Sequence, residues 1–249
     1  MIILKHPDEV EKLYRANQIV AHLLEMLKEK IEPGVTTEEL DRIAEEYIVS
    51  RKARPAFKGY RGYPATLCTS INDRVVHGIP SREELKEGDL VSLDVGVVLD
   101  GYYGDAAKTF PVMKVSKEAD RLIRVTEESL YRGIGKASEG NRLFDISHEI
   151  QQYVEGHSFS VVRAFVGHGI GRSLHEEPQI PNFGQPNRGP RLKKGMVLAI
   201  EPMVNMGDWE VKILSDTWTA VTADGSLSAH FEHTIAILDH ETRILSRAA

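Results

Sequence analysis

Leu90-Val91-Ser92-Leu93-Asp94-Val95-Gly96-Val97-Val98-Leu99-Asp100-Gly101-Tyr102-Tyr103-Gly104-Asp105-Ala106-Ala107-Lys108-Thr109-Phe110-Pro111-Val112 holds two β-rich runs on either side of Asp100-Gly101. That dipeptide is a strong signal for a two-residue type I′ hairpin turn. With a turn that tight, Leu99 pairs with Tyr102, Gly96 with Asp105 and Asp94 with Ala107. Opposed residues share a face, so Asp94 and Asp105 become diagonal neighbours on one face, about 7–8 Å apart. Two carboxylates at that separation can grip cations between them. A carboxylate inside so apolar a run as that around Asp94 is costly to bury unless it is paired or bound to metal.

Working outward, Val10, Leu13, Ala16, Ile19, Val20, Leu23, Leu24 and Leu27 recur at helical spacing over residues 8–30. Pro7-Asp8 reads as a helix start and Pro33-Gly34 as a stop. A second helix begins at Thr37, and residues 118–135 and 143–156 read as two more. Further strands are predicted at 197–201 and 231–238. A faint internal repeat joins these pieces. Gly34, Leu40, Tyr47 and Ile48 match Gly140, Ile146, Tyr153 and Val154 at an offset of 106 residues, and Lys86-Glu87-Gly88 through Asp94 resembles Lys193-Lys194-Gly195 through Glu201 at an offset of 107. The pattern predicts two related α/β halves, about 1–112 and 113–249, within one domain spanning 1–249. Asp94 and Glu201 would then occupy equivalent places and converge near a pseudo-two-fold axis.

Size and composition set the frame. A chain of 249 residues, 41% hydrophobic and 27% charged, is long enough to bury its own core. The single cysteine, Cys68, forms no internal disulfide, which fits a reducing compartment. Neither a secretory signal nor an apolar run of about 20 residues is present. A net charge of −6 argues against nucleic acid as partner. The basic clusters Arg51-Lys52-Ala53-Arg54 and Arg191-Leu192-Lys193-Lys194 read as solvated surface charge.

The second half adds His168 between Gly167 and Gly169, His175 ahead of Glu176, Glu201 before Pro202, and Glu232 entering an apolar run. Four carboxylates and one imidazole suit hard or borderline cations such as Mn²⁺, Fe²⁺, Co²⁺ or Zn²⁺. They exceed what one cation takes, so two are expected, a pairing suited to amide hydrolysis. Residue by residue the ordinary readings stand beside this one. An Asp in a strand is more often a turn or surface residue, and a His between glycines a loop histidine.

At these residues the chain resembles a type I methionine aminopeptidase of the pita-bread metallopeptidases, from residue 3 to about 244. The motifs are Tyr60-Arg61-Gly62-Tyr63-Pro64, Ser70-Ile71-Asn72-Asp73, Val76-His77-Gly78-Ile79-Pro80, Leu93-Asp94-Val95, Gly104-Asp105, Gly167-His168-Gly169-Ile170-Gly171, His175-Glu176-Glu177-Pro178, Ile200-Glu201-Pro202-Met203 and Phe231-Glu232-His233-Thr234. The resemblance implies an α+β pita-bread fold: two pseudo-symmetric α/β halves, a central curved sheet rich in antiparallel pairs, and helices outside. It implies a cytoplasmic metallo-exopeptidase that hydrolyses the first peptide bond to remove N-terminal methionine from peptides and nascent proteins; a monomer is the default expectation. The family role also implies contact with the ribosome, although no surface feature of the sequence marks it.

Carried onto this chain, the metal ligands match Asp94, Asp105, His168, Glu201 and Glu232. Asp105 and Glu232 would bridge two divalent cations (Co, Mn, Fe or Zn), Asp94 would bind one, and His168 with Glu201 the other. Glu201 would also act as general base. His77 matches the histidine near the substrate amino group, and His175 the one that stabilises the tetrahedral intermediate. The methionine pocket maps onto Tyr60, Tyr63, Cys68 and Trp218, with Phe57 and Leu174 beside them. Phe57 stands where cysteine is common, Leu174 where phenylalanine is common, and Arg61 replaces a frequent histidine. The first two swaps trade volume across one pocket. The short stretch from His175 to Glu201 lacks the insertion of type II enzymes, and nothing precedes the first helix. A proline-directed peptidase of the same fold would share the ligands but not the segment from Tyr60 to Cys68. A non-catalytic binding protein of the fold would be expected to lack ligands that are all present here.

Overall fold

The computed structural model describes residues 1–239 and 241–249. The first part of the chain forms α1 (Pro7–Lys28), α2 (Thr37–Ser50), β1 (Arg54–Pro55), β2 (Leu67–Ile71), β3 (Arg74–Val76), β4 (Leu90–Leu99) and β5 (Tyr102–Pro111). Then follow α3 (Lys117–Gly135), α4 (Leu143–Gly156), β6 (Ser160–Val161), β7 (Val166–Gly169), β8 (Glu176–Pro181), β9 (Val197–Ile200), β10 (Met203–Asn205), β11 (Val211–Ile213), β12 (Ala220–Thr222), β13 (Ser228–His230), β14 (His233–Ile237) and β15 (Thr242–Ile244). Asp100 and Gly101 both have positive φ, 50° and 80°, as a type I′ turn requires. The ladder they close pairs Leu99 with Tyr102, Gly96 with Asp105 and Asp94 with Ala107, so the register read from the turn chemistry holds along the hairpin.

Every strand pairing is antiparallel. In one sheet β4 pairs with β5 along its whole length and, on its other edge, with β2 at Val91–Val95 and β1 at Val97 and Val98; a second runs β15-β14-β9-β7-β8; the third and fourth are β13-β10-β6 and β11-β12-β3. The helices lie outside because each has one apolar face. In α1 the residues Val10, Leu13, Ala16, Val20, Leu23, Leu24 and Leu27 are buried, and the helix packs on β4 and β5. The contact with β5 is close: a Cβ at Gly104 would stand 2.7 Å from backbone atoms of Ala16 and Asn17. The Thr36 and Ser116 hydroxyls accept from Glu39 N–H and Ala119 N–H, which starts α2 and α3. No helix among the described residues is long and apolar enough to cross a membrane.

The two halves repeat one another in their hydrogen bonds. Gly34 N donates to Leu85 O, and Gly140 N to Leu192 O; Leu85 N donates to Val35 O, and Leu192 N to Asn141 O. Gly88 N reaches Val112 O in the first half, and Gly195 N reaches Ile237 O in the second. One apolar core forms within the first half, around Leu40, Leu67, Val91 and Leu93. Another lies almost wholly within the second, around Leu122, Ile146, Ile150 and Ile200. A third joins them, from Leu13 and Phe57 to Leu174 and Ala236. At the seam Glu232 N donates to Ala107 O at 2.8 Å, and Thr234 Oγ1 donates to Asp105 O at 2.8 Å.

Two strands are shorter than their sequences predict. β9 stops at Ile200 and β14 starts at His233, where the apolar runs suggest 197–201 and 231–238. Pro202 has no N–H to extend the ladder, and Glu232 N is already committed to Ala107 O across the seam. Both glutamates therefore sit at strand ends rather than inside ladders.

Candidate active site

Every residue singled out from the sequence lines one cavity of about 530 Å³: Phe57, Tyr60, Tyr63, Cys68, His77, Asp94, Asp105, His168, Leu174, His175, Glu201, Trp218 and Glu232. The floor is acidic. β4 supplies Asp94, and β5 supplies Asp105, which opposes Gly96. Asp105 N donates to Asn17 Oδ1 at 3.2 Å, so α1 helps to fix this residue. Asp105, His168 and Glu232 present donor atoms within 4.8 Å of one another and are buried. Glu201 joins them through its Oε1, 3.5 Å from His168 Nε2. Asp94 lines the same floor outside that tight group.

His168 Nδ1 lies 2.9 Å from Gly169 O. A carbonyl only accepts, so Nδ1 carries the proton and Nε2 turns its lone pair into the cavity. The flanking glycines serve the sheet: a Cβ at Gly167 would fall 2.4 Å from Ala199 O, and one at Gly169 2.2 Å from Glu177 O. They let β7 lie close against its neighbours while His168 points inward.

This floor is unfavourable as a bare polypeptide. Asp94 Oδ1, Asp105 Oδ1 and Glu232 Oε1 are buried without a hydrogen-bond partner among the described residues. Such atoms call for an explanation in a folded protein. Burial pushes the Asp94 carboxyl up to about 7. Burial, then the charges of Glu232 and Asp94, holds Asp105 well above the usual carboxylate range. Glu201 and Glu232 are raised in the same way, by burial first and by neighbouring carboxylates second. Burial pushes His168 down to about 3, which keeps the imidazole neutral. Clustered carboxylates, orphaned oxygens and an unprotonated imidazole fit a divalent cation, which would satisfy those oxygens and offset the repulsion.

Above the floor stand two more histidines. His77 has φ 60° and packs edge-on against Phe165 and Trp218, with ring centroids 5.3 and 6.3 Å away. Its neighbour Gly78 is obligatory, because a Cβ there would meet Thr69 O at 2.1 Å. Burial brings His77 down to about 4. His175 Nδ1 lies 2.7 Å from the Tyr60 hydroxyl, and its ring is 4.4 Å from that of His168. Burial, then the Arg61 guanidinium, lowers its pKa. The apolar wall consists of Phe57, Tyr63, Cys68, Leu174 and Trp218. Phe57 can lie against β4 because Gly96 has no side chain: a Cβ there would stand 2.6 Å from the Phe57 ring. Tyr63 and Trp218 meet edge to face at 5.1 Å.

His230 is a lining residue that the motifs do not include. It is buried, its Nε2 lacks a hydrogen-bond partner among the described residues, and that atom is 3.7 Å from Glu201 Oε2. The available signal was its position two residues before Glu232 on an extended segment, which places both on one side. Phe165 and Met203 also line the cavity; Met203 closes the Ile200-Glu201-Pro202-Met203 motif without having been given a role, and nothing in the local sequence marks Phe165.

Comparison with known proteins agrees with this geometry. Residues 11–239 match metallopeptidase family M24. The chain is 60% identical over 246 residues to a methionine aminopeptidase of Clostridium perfringens, covering 99% of both chains. It superimposes on a methionine aminopeptidase structure from Thermotoga maritima with a TM-score of 0.98 at 49% identity, covering 99% of this chain and 100% of the other. A prolidase from Pyrococcus horikoshii shares the fold alone, with a TM-score of 0.82 at 20% identity over 100% of this chain and 65% of that one.

Proposed function

The chain belongs to metallopeptidase family M24, and from that premise we propose that it removes N-terminal methionine from peptides and nascent proteins by hydrolysing the first peptide bond. The observation that carries the reading is the one cavity in which a carboxylate–histidine floor adjoins an apolar wall rich in aromatic side chains. Relatives named methionine aminopeptidase match the chain over nearly its full length. We take residues 1–249 as one catalytic domain whose halves divide near 112, acting as a monomer in the cytoplasm.

Asp94, Asp105, His168, Glu201 and Glu232 would hold two divalent cations of the cobalt, manganese, iron or zinc kind. Bound cations supply Lewis acidity to the attacking water and to the scissile carbonyl. Glu201 takes the proton from that water and passes it to the leaving amine, because its carboxylate faces the cavity beside His168. His175 stabilises the developing oxyanion. The Tyr60 hydroxyl, 2.7 Å from Nδ1, donates to that nitrogen, which leaves the proton on Nε2 to donate toward the substrate. The lowered pKa keeps the ring a neutral donor at pH 7. His77 faces the substrate near its amino group. Tyr60, Tyr63, Cys68, Trp218, Phe57 and Leu174 hold the methionine side chain, whose thioether packs well on aromatic edges.

The test is release of free methionine from a Met-Ala-Ser peptide by protein stripped with chelator and reloaded with Mn²⁺ or Co²⁺. Metal-dependent release from this peptide, with an N-acetylated peptide and an X-Pro peptide left intact, is the expected result. Cleavage of the X-Pro peptide instead would move the activity to proline-directed hydrolysis, and no cleavage with any metal would overturn the reading.

A further inference from the structure

His175 is followed by Glu176, and Glu176 does not face solvent. Its Oε2 receives Lys5 Nζ at 2.5 Å, with the two side chains only 3% (Lys5) and 9% (Glu176) exposed. Lys5 Nζ also donates to Ile3 O at 3.2 Å. The other carboxylate oxygen, Oε1, accepts the backbone N–H groups of Arg172 at 2.9 Å and Ser173 at 3.2 Å. Glu176 therefore closes the loop 171–176 on itself, and Lys5 supplies the countercharge from another part of the chain.

The backbone of Lys5 is tied elsewhere. Its N–H donates to Gly195 O at 2.6 Å, and Gly195 stands two residues before β9, which delivers Glu201. One residue thus links the loop that presents His175 to the approach of the strand that ends at Glu201. The joint has no slack. A Cβ at Gly171 would lie 2.4 Å from Lys5 Cε and 2.6 Å from Glu176 Oε1, and one at Gly195 would lie 2.9 Å from Lys5 O. The loop is also pinned to β5, since Tyr103 N donates to Gly171 O at 2.9 Å.

A buried ion pair is weak evidence of net stabilisation, because desolvation offsets much of the Coulomb attraction. Its surer effect here is to fix geometry: a pair held by Ile3 O on the lysine side and by two backbone N–H groups on the carboxylate side restricts the loop to one arrangement. We propose that Lys5 is a positioning residue which, through Glu176, holds the loop so that the His175 ring meets the transition state. This rests on the role assigned to His175 above.

The test is a double-mutant cycle. Lys5→Met removes the charge while keeping most of the stem, and kcat and KM for methionine release are measured with and without His175→Ala. In the otherwise wild-type chain Lys5→Met is expected to lower kcat by about 10- to 100-fold, the scale on which small misplacements act, with KM changed by less than about twofold. In the His175→Ala background it is expected to change kcat by less than about twofold, because residues acting as one unit are not additive. Where Lys5→Met fails to fold, judged by circular dichroism, Glu176→Gln carries the same cycle, since its amide oxygen still accepts from the loop. Equal losses in both backgrounds, or wild-type kcat in the single variant, would overturn the proposal. So would loss of the fold in both variants, which would make the pair purely structural. Wild-type protein that releases no methionine, or a His175→Ala variant at full kcat, would instead sink the reading of the site and the proposal with it.

Discussion

Glu201 sits where a strand is stopped by proline, and its carboxylate lies between two imidazoles, 3.5 Å from His168 Nε2 and 3.7 Å from His230 Nε2. Nothing in that arrangement asks Glu201 to hold the fold together, whereas the proposed proton traffic depends on it. Glu201→Gln keeps the size and loses the base. Turnover of the Met-Ala-Ser peptide is expected to fall by about 10²- to 10⁴-fold, the usual range of general acid–base assistance, with the near-ultraviolet circular dichroism unchanged. A variant that keeps more than about a third of wild-type kcat would remove Glu201 from the role. The ligand-type residues were legible because each interrupts an apolar run or stands between glycines. His230 was not, although it directly precedes the motif Phe231-Glu232-His233-Thr234, because its significance appears only when β13 and β9 bring it beside Glu201. The Lys5–Glu176 pair was equally hidden: 171 residues separate the partners, and a lone lysine near a helix start looks like surface.

The hairpin β4–β5 and the strand β7 are the elements that aim the floor. In the hairpin, turn chemistry alone sets the register: Asp100-Gly101 fixes which residues face each other, and Asp94 and Asp105 then share a side. That is why this part of the site was legible at the level of pairing. In β7 the sequence signal was ambiguous, since glycines beside His168 suggest room for a ligand, while the structure shows them making room for β8 and β9. Gly167→Ala tests the difference. A methyl placed 2.4 Å from Ala199 O forces β7 away from β9, an overpacking cost of about 1–3 kcal/mol. It is also expected to lower metal affinity, read by calorimetric titration of the stripped protein with Mn²⁺, because His168 moves with the strand. Stability and metal affinity both within error of wild type would show that the neighbouring strands yield freely.

Across the whole molecule, the floor is built from both halves: Asp94 and Asp105 come from the first, and His168, Glu201 and Glu232 from the second. The repeat in the sequence made that convergence legible. The sheet order and the seam contacts were not, because β3–β12 and β5–β14 neighbours are remote in the chain and set by packing. The design has a cost in the metal-free chain. Asp94 titrates near 7, and Asp105, Glu201 and Glu232 lie well above the usual carboxylate range. Unfolding returns each to about 4. Above about pH 4 the folded chain binds more protons than the unfolded one, so stability is full below about pH 4 for these groups and falls as pH rises, through about 7 for Asp94 and onward for the other three. Bound cations replace the protons, and their contribution grows with pH as protons cease to compete. Calorimetry of chelator-treated and Mn²⁺-loaded protein from about pH 5 to 7.5 checks this. The melting temperature of the stripped chain is expected to fall over that window while the gap to the loaded protein widens, and because the ions would join both halves, each melt should be a single transition. A gap independent of pH would mean that the carboxylates are not the groups the cations relieve, and a loaded protein melting in two steps would mean that the halves stand apart even with the floor filled.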